Sequence, residues 1–160
     1  VEIMADLRVM LGSLAREDGV FGRVAAADTG TVEEHVYRLV LDAHDAWAGY
    51  AVKDARGPTG PADIRGALEA IDAEQATDVM TYLSAGDLVF SGRMRRDREH
   101  AHRAARRVVK LLGYEATWST NIELSDAGYG WNPVTRHSFD GVVAGVGNGV
   151  VVALLQVGED

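Results

Sequence analysis

The sequence predicts an α+β fold in which a helical N-terminal two-thirds packs on a small C-terminal antiparallel sheet or hairpin. Three observations predict it. Apolar residues recur at helical spacing from Glu2 to Leu112, the pattern changes at Gly113, and two apolar runs then flank Asn148-Gly149. At 160 residues the chain is sized for a single domain, 1–160, with one hydrophobic core. That core is expected to draw on Leu39, Val40, Trp47, Leu68, Val108, Leu112, Val143 and Leu154.

A first helix is expected from about Glu2 to Arg16, with Ile3, Leu7, Met10, Leu11 and Leu14 on one face. After a linker from Ala25 to Gly30, Thr31-Val32-Glu33-Glu34 has the form of a capping box, in which the Thr and Glu side chains satisfy free amides at a helix start. A second helix should run on through Trp47 and Tyr50 and stop before the turn residues Gly57-Pro58-Thr59-Gly60-Pro61. Ala62 to about Ser84 reads as one bent helix or two short ones, with Asp72 as an internal cap. Leu88 to Phe90 is a loop or one edge strand, and Arg93 to Leu112 is the last helix, ended by Gly113.

Tyr114 to Thr120 is strand-like, and Phe139–Val146 and Val150–Val157 form a hairpin. An Asn-Gly pair between such runs favours a two-residue turn, because both residues accept positive φ. Both strands are almost continuously apolar, so the hairpin is expected to be buried on both faces. Between them, 121–138 reads as a long loop carrying Glu123, Asp126, Tyr129, Trp131, Arg136 and His137, and a loop of that length in a compact domain is usually functional.

The absence of cysteine excludes disulfides, thiolate metal sites and a cysteine nucleophile, and fits a reducing compartment. Val1 to Ala15 is interrupted by Glu2, Asp6 and Arg8, so it reads as neither signal peptide nor membrane span, and a cytoplasmic location with no membrane contact is expected. The net charge of −8 favours a basic partner over nucleic acid. Yet eight of the sixteen basic residues fall between Arg93 and Lys110. On a helical wheel Arg93, Arg96, Arg103 and Arg107 share a stripe with His100 and Lys110, opposite an apolar face. These four arginines are the candidate phosphate-binding residues, since guanidinium groups bind phosphates bidentately. Partial pairing with the acidic helices is the expected state of the stripe, because the excess of carboxylates opposes a polyanion.

The C-terminal third carries a further pattern: Lys110-Leu111-Leu112-Gly113-Tyr114, then Glu115 to Trp118, Phe139-Asp140-Gly141-Val142 and Ala153 to Val157. Over about 60 residues this order is similar to the core of restriction-endonuclease-like nucleases of the Mrr type. The resemblance implies a divalent metal held by Asp140 and Gln156, for metal-assisted phosphodiester hydrolysis. The family's lysine position is occupied by Gly158, which cannot position or activate water, and the sequence ends before the helix and strand that normally follow. Register bears on the same question. A two-residue turn pairs Asp140 with Val157 and sends Gln156 to the opposite face, whereas a three-residue loop sets Asp140 against Gln156. The Asn-Gly signal favours the first, so a buried hairpin without metal is the expectation.

The histidines do not form a metal-ligand pattern. His100 and His102 point about 160° apart on a helix, and His35 and His44 read as surface or boundary residues. No nucleophile elbow or phosphate loop is present, so neither a catalytic residue nor a cofactor is assigned. What remains is a non-catalytic acidic binding protein, most concretely an immunity-type inhibitor of a basic protein, with Tyr129, Trp131, Arg136 and His137 as the partner-binding residues. The alternative is a nucleic-acid-binding or degenerate nuclease-like protein using Asp140 and the basic helix.

Overall fold

The computed structural model describes residues 2–50, 57–90, 92–125 and 128–159. Its elements in chain order are α1 (Glu2–Leu14), β1 (Val20–Ala26), α2 (Val32–Ala46), α3 (Pro61–Ala67), β2 (Glu69–Ile71), α4 (Ala73–Ala85), α5 (Arg98–Leu112), β3 (Thr117–Thr120), β4 (Ile122–Ser125), β5 (Gly128–Trp131), β6 (Phe139–Gly147) and β7 (Val150–Gly158). Strands β1-β7-β6-β3-β2 form one antiparallel sheet in that order, and β4-β5 form a separate two-stranded sheet.

This corrects the expected architecture of a helical N-terminal two-thirds on a small C-terminal sheet. The sheet has five strands, and both its edges come from the N-terminal half: β1 pairs along its whole length with β7, and β2 pairs with β3. Edge strands carry a weak sequence signal. In β1 only Val20 is fully buried and Gly22 interrupts the run, while β2 is three residues long inside what reads as a helical pattern. Long-range pairing overrides local propensity at both places.

The expected single core is also divided, because the sheet separates two clusters. On one face α1, α4 and α5 bury Leu7, Leu83, Val108, Leu112, Trp118, Val143 and Leu154. On the other, α2 and α3 bury Leu39, Val40, Ile64, Val142 and Leu155, with Trp47 and Leu68 only partly buried against them. The alternation of β6 and β7 divides one apolar run between two cores, since successive side chains of a strand point to opposite faces.

The local signals in the sequence hold. Thr31 and Glu34 form the capping box of α2, and Asp72 with Gln75 forms that of α4. Asn148 and Gly149 take φ of 50° and 75° in a two-residue turn, with Gly147 facing Val150. Two boundaries move: helix α2 ends at Ala46, and α5 begins at Arg98 behind an Asp97 cap. Of the two readings of Leu88 to Phe90, the loop is the one found.

Trp118 sits opposite Gly145 in the β3–β6 pairing, and a Cβ built on Gly145 would lie 2.4 Å from the indole. The ring therefore occupies the place of a side chain. We expect Gly145→Ala to destabilise the protein by about 1–3 kcal/mol through overpacking. Gly66→Ala, in open space on α3, should instead stabilise by up to about 1 kcal/mol, the helix propensity difference. Urea unfolding midpoints of the two variants check both signs.

Candidate functional site

Asp140 pairs with Val157, and Gly141 faces Gln156, so the Asp140 and Gln156 side chains leave the sheet on opposite faces. Gln156 is buried under α4. It accepts from the Leu88 amide at 2.9 Å and donates to the Leu83 carbonyl at 2.7 Å and the Gly86 carbonyl at 3.1 Å, tying the end of α4 to the sheet.

Asp140 is fully buried at the centre of a polar knot. Oδ1 accepts from Asn121 Nδ2 at 2.8 Å, and Oδ2 accepts from the Thr135 amide at 2.9 Å and Thr135 Oγ1 at 2.8 Å. The Val134 amide lies 3.2 Å from both oxygens. Asn121 extends the knot, accepting from the Val142 amide at 2.7 Å and donating to the Asn132 carbonyl at 2.8 Å. The carboxylate lone pairs face protein donors. The segment read as a loop over 121–138 is instead the β4–β5 hairpin followed by a turn that closes on Asp140. Asn121 was not singled out in the sequence; its signal is only that of a polar residue between two strand-forming runs.

The four expected partner-binding residues separate into two groups. Tyr129 and Trp131 stack in an aromatic row with Tyr82 and Phe139, with successive ring centroids 5.7, 5.2 and 5.7 Å apart. Tyr129 also donates its hydroxyl to the Leu88 carbonyl at 2.6 Å, and burial, then the neighbouring Tyr82, raises its pKa. Arg136 and His137 lie elsewhere. The Arg136 amide donates to His44 Nε2 at 3.1 Å and its guanidinium to the His44 carbonyl, also at 3.1 Å. His137 Nδ1 lies 3.0 Å from Glu159 Oε1, while its Nε2, packed beside the His44 and Trp47 rings, is sealed from solvent. The imidazole thus offers no free nitrogen to a dissolved substrate, while Glu159 keeps part of its side chain exposed. All four residues, expected to bind a partner, are at least half-buried, and their side chains or amides make contacts within the fold. Asp126 lies outside the described residues.

His35, expected at the surface or boundary, is fully buried. Its ring accepts from Arg23 Nε at 3.1 Å and meets Thr29 Oγ1 at 3.1 Å. Burial, and then the Arg23 and Arg38 charges, lower its pKa. Position 35 falls on the apolar face of α2, which was the available signal.

The basic stripe is shorter than expected. Arg93 precedes α5 and lies 3.8 Å from Asp87. Arg96 also precedes it and turns inward, donating to the Ser13 carbonyl at the end of α1 and to Ser84 Oγ at 3.2 Å, where burial lowers its pKa. A guanidinium that terminates one helix is not available to phosphate. Arg103 and Arg107 are exposed on α5, and among the described residues no carboxylate lies within 4.0 Å of either, so the partial pairing expected of the four arginines is confined to Arg93.

One groove gathers acidic side chains. It runs between β2 (Glu69, Ala70, Ile71), α4 (Gln75, Asp78, Val79) and three consecutive residues of β4 (Ile122, Glu123, Leu124), and encloses about 330 Å³. Glu69, Asp78 and Glu123 are exposed at its rim, above a floor that includes Val79 and Ile122. Among the described residues β4 pairs with β5 alone and no β5 residue lines the groove, which borders β4 away from β5. Among the described residues, no three His, Asp or Glu side chains converge as a metal-ligand set, and no helix is long and apolar enough to cross a membrane.

No family model, curated protein or solved structure matches this chain. The Mrr-type likeness thus rests on short motifs alone, and its two metal-binding positions face apart.

Burial pushes the Asp140 carboxyl up to about 6, an effect offset in part by hydrogen bonds from Thr135, Val134 and Asn121. Burial, with Arg136 and His137 beside it, takes His44 down to about 4. The signs are opposite. The stability linked to Asp140 is full below the unfolded value of 3.8 and is lost as pH rises through about 6. That linked to His44 is full above 6.5 and is lost as pH falls toward about 4. Over this window Asp140 contributes a slope amounting to about 3 kcal/mol, which the His44 slope opposes. Asp140→Asn should therefore lower stability and unmask a rise in stability from pH 4.5 to 6.5, measured by urea unfolding at each pH. In the parent protein the carboxyl carbon of Asp140 should titrate near 6 by NMR.

Proposed function

We propose that this chain is a non-catalytic binding protein that receives a cationic segment of a partner protein in the groove between β2, α4 and β4. An immunity-type inhibitor of a basic protein is the concrete form of this reading. The observation that carries it is the unpaired edge of β4 beside Glu69, Asp78 and Glu123. An extended peptide laid along such an edge gains main-chain hydrogen bonds, and its alternate side chains meet the groove. Lysine or arginine at those positions would find carboxylates at the rim and aliphatic floor for their stems. The net charge of −8 supports the reading through long-range attraction of a basic partner.

The nuclease-like alternative would require Asp140 and Gln156 on one metal. Both Asp140 oxygens already accept protein hydrogen bonds, and Gln156 lies across the sheet. Rebuilding that arrangement would unpair several buried polar groups, each at about 1–3 kcal/mol.

An extended peptide alternating lysine with valine, titrated by calorimetry, should bind the protein, and a glutamate–valine peptide should not. Glu69→Lys with Glu123→Lys should weaken the lysine peptide about tenfold or more, or ~1.4 kcal/mol, without lowering the melting temperature. Unchanged affinity in that double variant would refute the groove. Magnesium-dependent DNA cleavage that disappears in a folded Asp140→Asn variant would refute the non-catalytic reading.

A further inference from the structure

Helix α5 is the most amphipathic element of the protein. Ala101, Ala104, Ala105, Val108 and Leu112 are buried between α1, α4 and the sheet. Its outer face carries Arg98, Arg103, Arg106, Arg107 and Lys110, all exposed, against a single carboxylate, Glu99. Among the described residues none of these five cations has a carboxylate within 4.0 Å. A solvated surface in an acidic protein would be expected to mix its charges. This one does not.

The chemistry of the face selects its occupant. Protein interfaces are organised around a desolvated apolar or aromatic centre, and no exposed large hydrophobic residue belongs to α5. Membrane-surface helices likewise need an apolar anchor. Binding to nucleic acid needs neither, since phosphate neutralisation and counterion release supply the affinity. Four of the five cations are arginines, whose planar fork pairs with phosphate in a bidentate way. From Arg98 to Lys110 the helix rises about 18 Å, the axial reach of roughly five phosphates on one strand. The apolar face of α5 is held against α1, α4 and the sheet, so the exposed cations are what the helix presents to a duplex.

The carboxylates that make the protein acidic overall do not cancel this face. Those of α2 lie beyond the sheet and the helix layer, more than a helix diameter of about 10 Å away, and at physiological salt charges are screened over about 8 Å. The acidic groups around it include Asp97 at the helix cap, Glu99, Glu115 beyond the helix end and, across a groove shared with His102 and Arg106, Glu74 and Asp78 of α4.

We propose that the outer face of α5 is a nucleic-acid contact surface that binds the phosphodiester backbone without reading sequence, through Arg103, Arg107 and Lys110 with Arg98 and Arg106 beside them. This surface adjoins the acidic groove at Asp78 of α4, but its five cations are not among the residues lining that groove.

Fluorescence anisotropy with two labelled 20-base-pair DNA duplexes of unrelated sequence tests the assignment. Both should bind alike at low salt, and affinity should fall with a log–log slope of about −0.9 per phosphate contacted. Arg103→Glu with Arg107→Glu and Lys110→Glu should reduce affinity at least about tenfold and flatten the slope by about two to three units. The milder Arg103→Gln, Arg107→Gln, Lys110→Gln variant should do so in the same direction, and guards against a folding defect in the first. Arg38→Glu, on α2 across the sheet, should bind as the parent does. No salt-sensitive binding at low salt, equal binding by the glutamine variant, strong discrimination between the duplexes, or tighter binding to anionic phosphatidylserine vesicles than to DNA would each overturn the proposal.

Discussion

A buried carboxylate ties the β4–β5 end of the molecule together. Asp140 stands where Asn121, between β3 and β4, meets the turn at Val134–Thr135 and β6. Asn121 and the turn donate to the carboxylate, the Val142 amide of β6 donates to Asn121, and Asn121 donates to the Asn132 carbonyl behind β5. A charge in that position is costly unless it is well hydrogen-bonded, and removing one partner leaves the others unsatisfied. The same knot holds the hairpin whose free edge borders the acidic groove. It also fixes Thr135, whose hydroxyl accepts from the His137 amide at 3.0 Å, so the Arg136–His137 corner inherits its position from Asp140.

The sandwich arrangement has a consequence for the surface. With helices on both faces of one sheet, strand side chains are used for packing and most charge is left to the outer sides of helices and to strand edges. Acidic groups collect along α2, α4 and the β2–β4 edge, whereas α5 is left basic. An acidic protein with one cationic helix face therefore has two chemically distinct surfaces, which adjoin at Asp78 of α4.

Residues with polar chemistry in the sequence proved to be divided between surface and interior in a way their types do not announce. Arg96 and Arg103 sit seven positions apart in the sequence, at matching places on a helical wheel. One lies before the helix and closes the end of α1, and the other is free in solvent. Tyr129 and Trp131 have the composition of interface anchors, yet their rings stack on Tyr82 and Phe139. The helix start at Arg98 separates the first pair, and a hairpin within the supposed loop accounts for the second.

What the sequence determined by itself is the set of features closed by residues a few positions apart: the Thr31 and Asp72 caps, the Asn148-Gly149 turn with its register, and the amphipathic α5. Those depend on local hydrogen bonds and on side-chain period, both written in consecutive residues. Tertiary structure alone decided that Val20 pairs with Gln156 and Glu69 with Thr120, that one apolar hairpin serves two cores, and that Asp140 finds its donors in Asn121 and Thr135. Such pairings join segments distant along the chain, and what selects them is the burial and hydrogen-bond satisfaction they achieve together, a quantity that no short stretch of sequence contains.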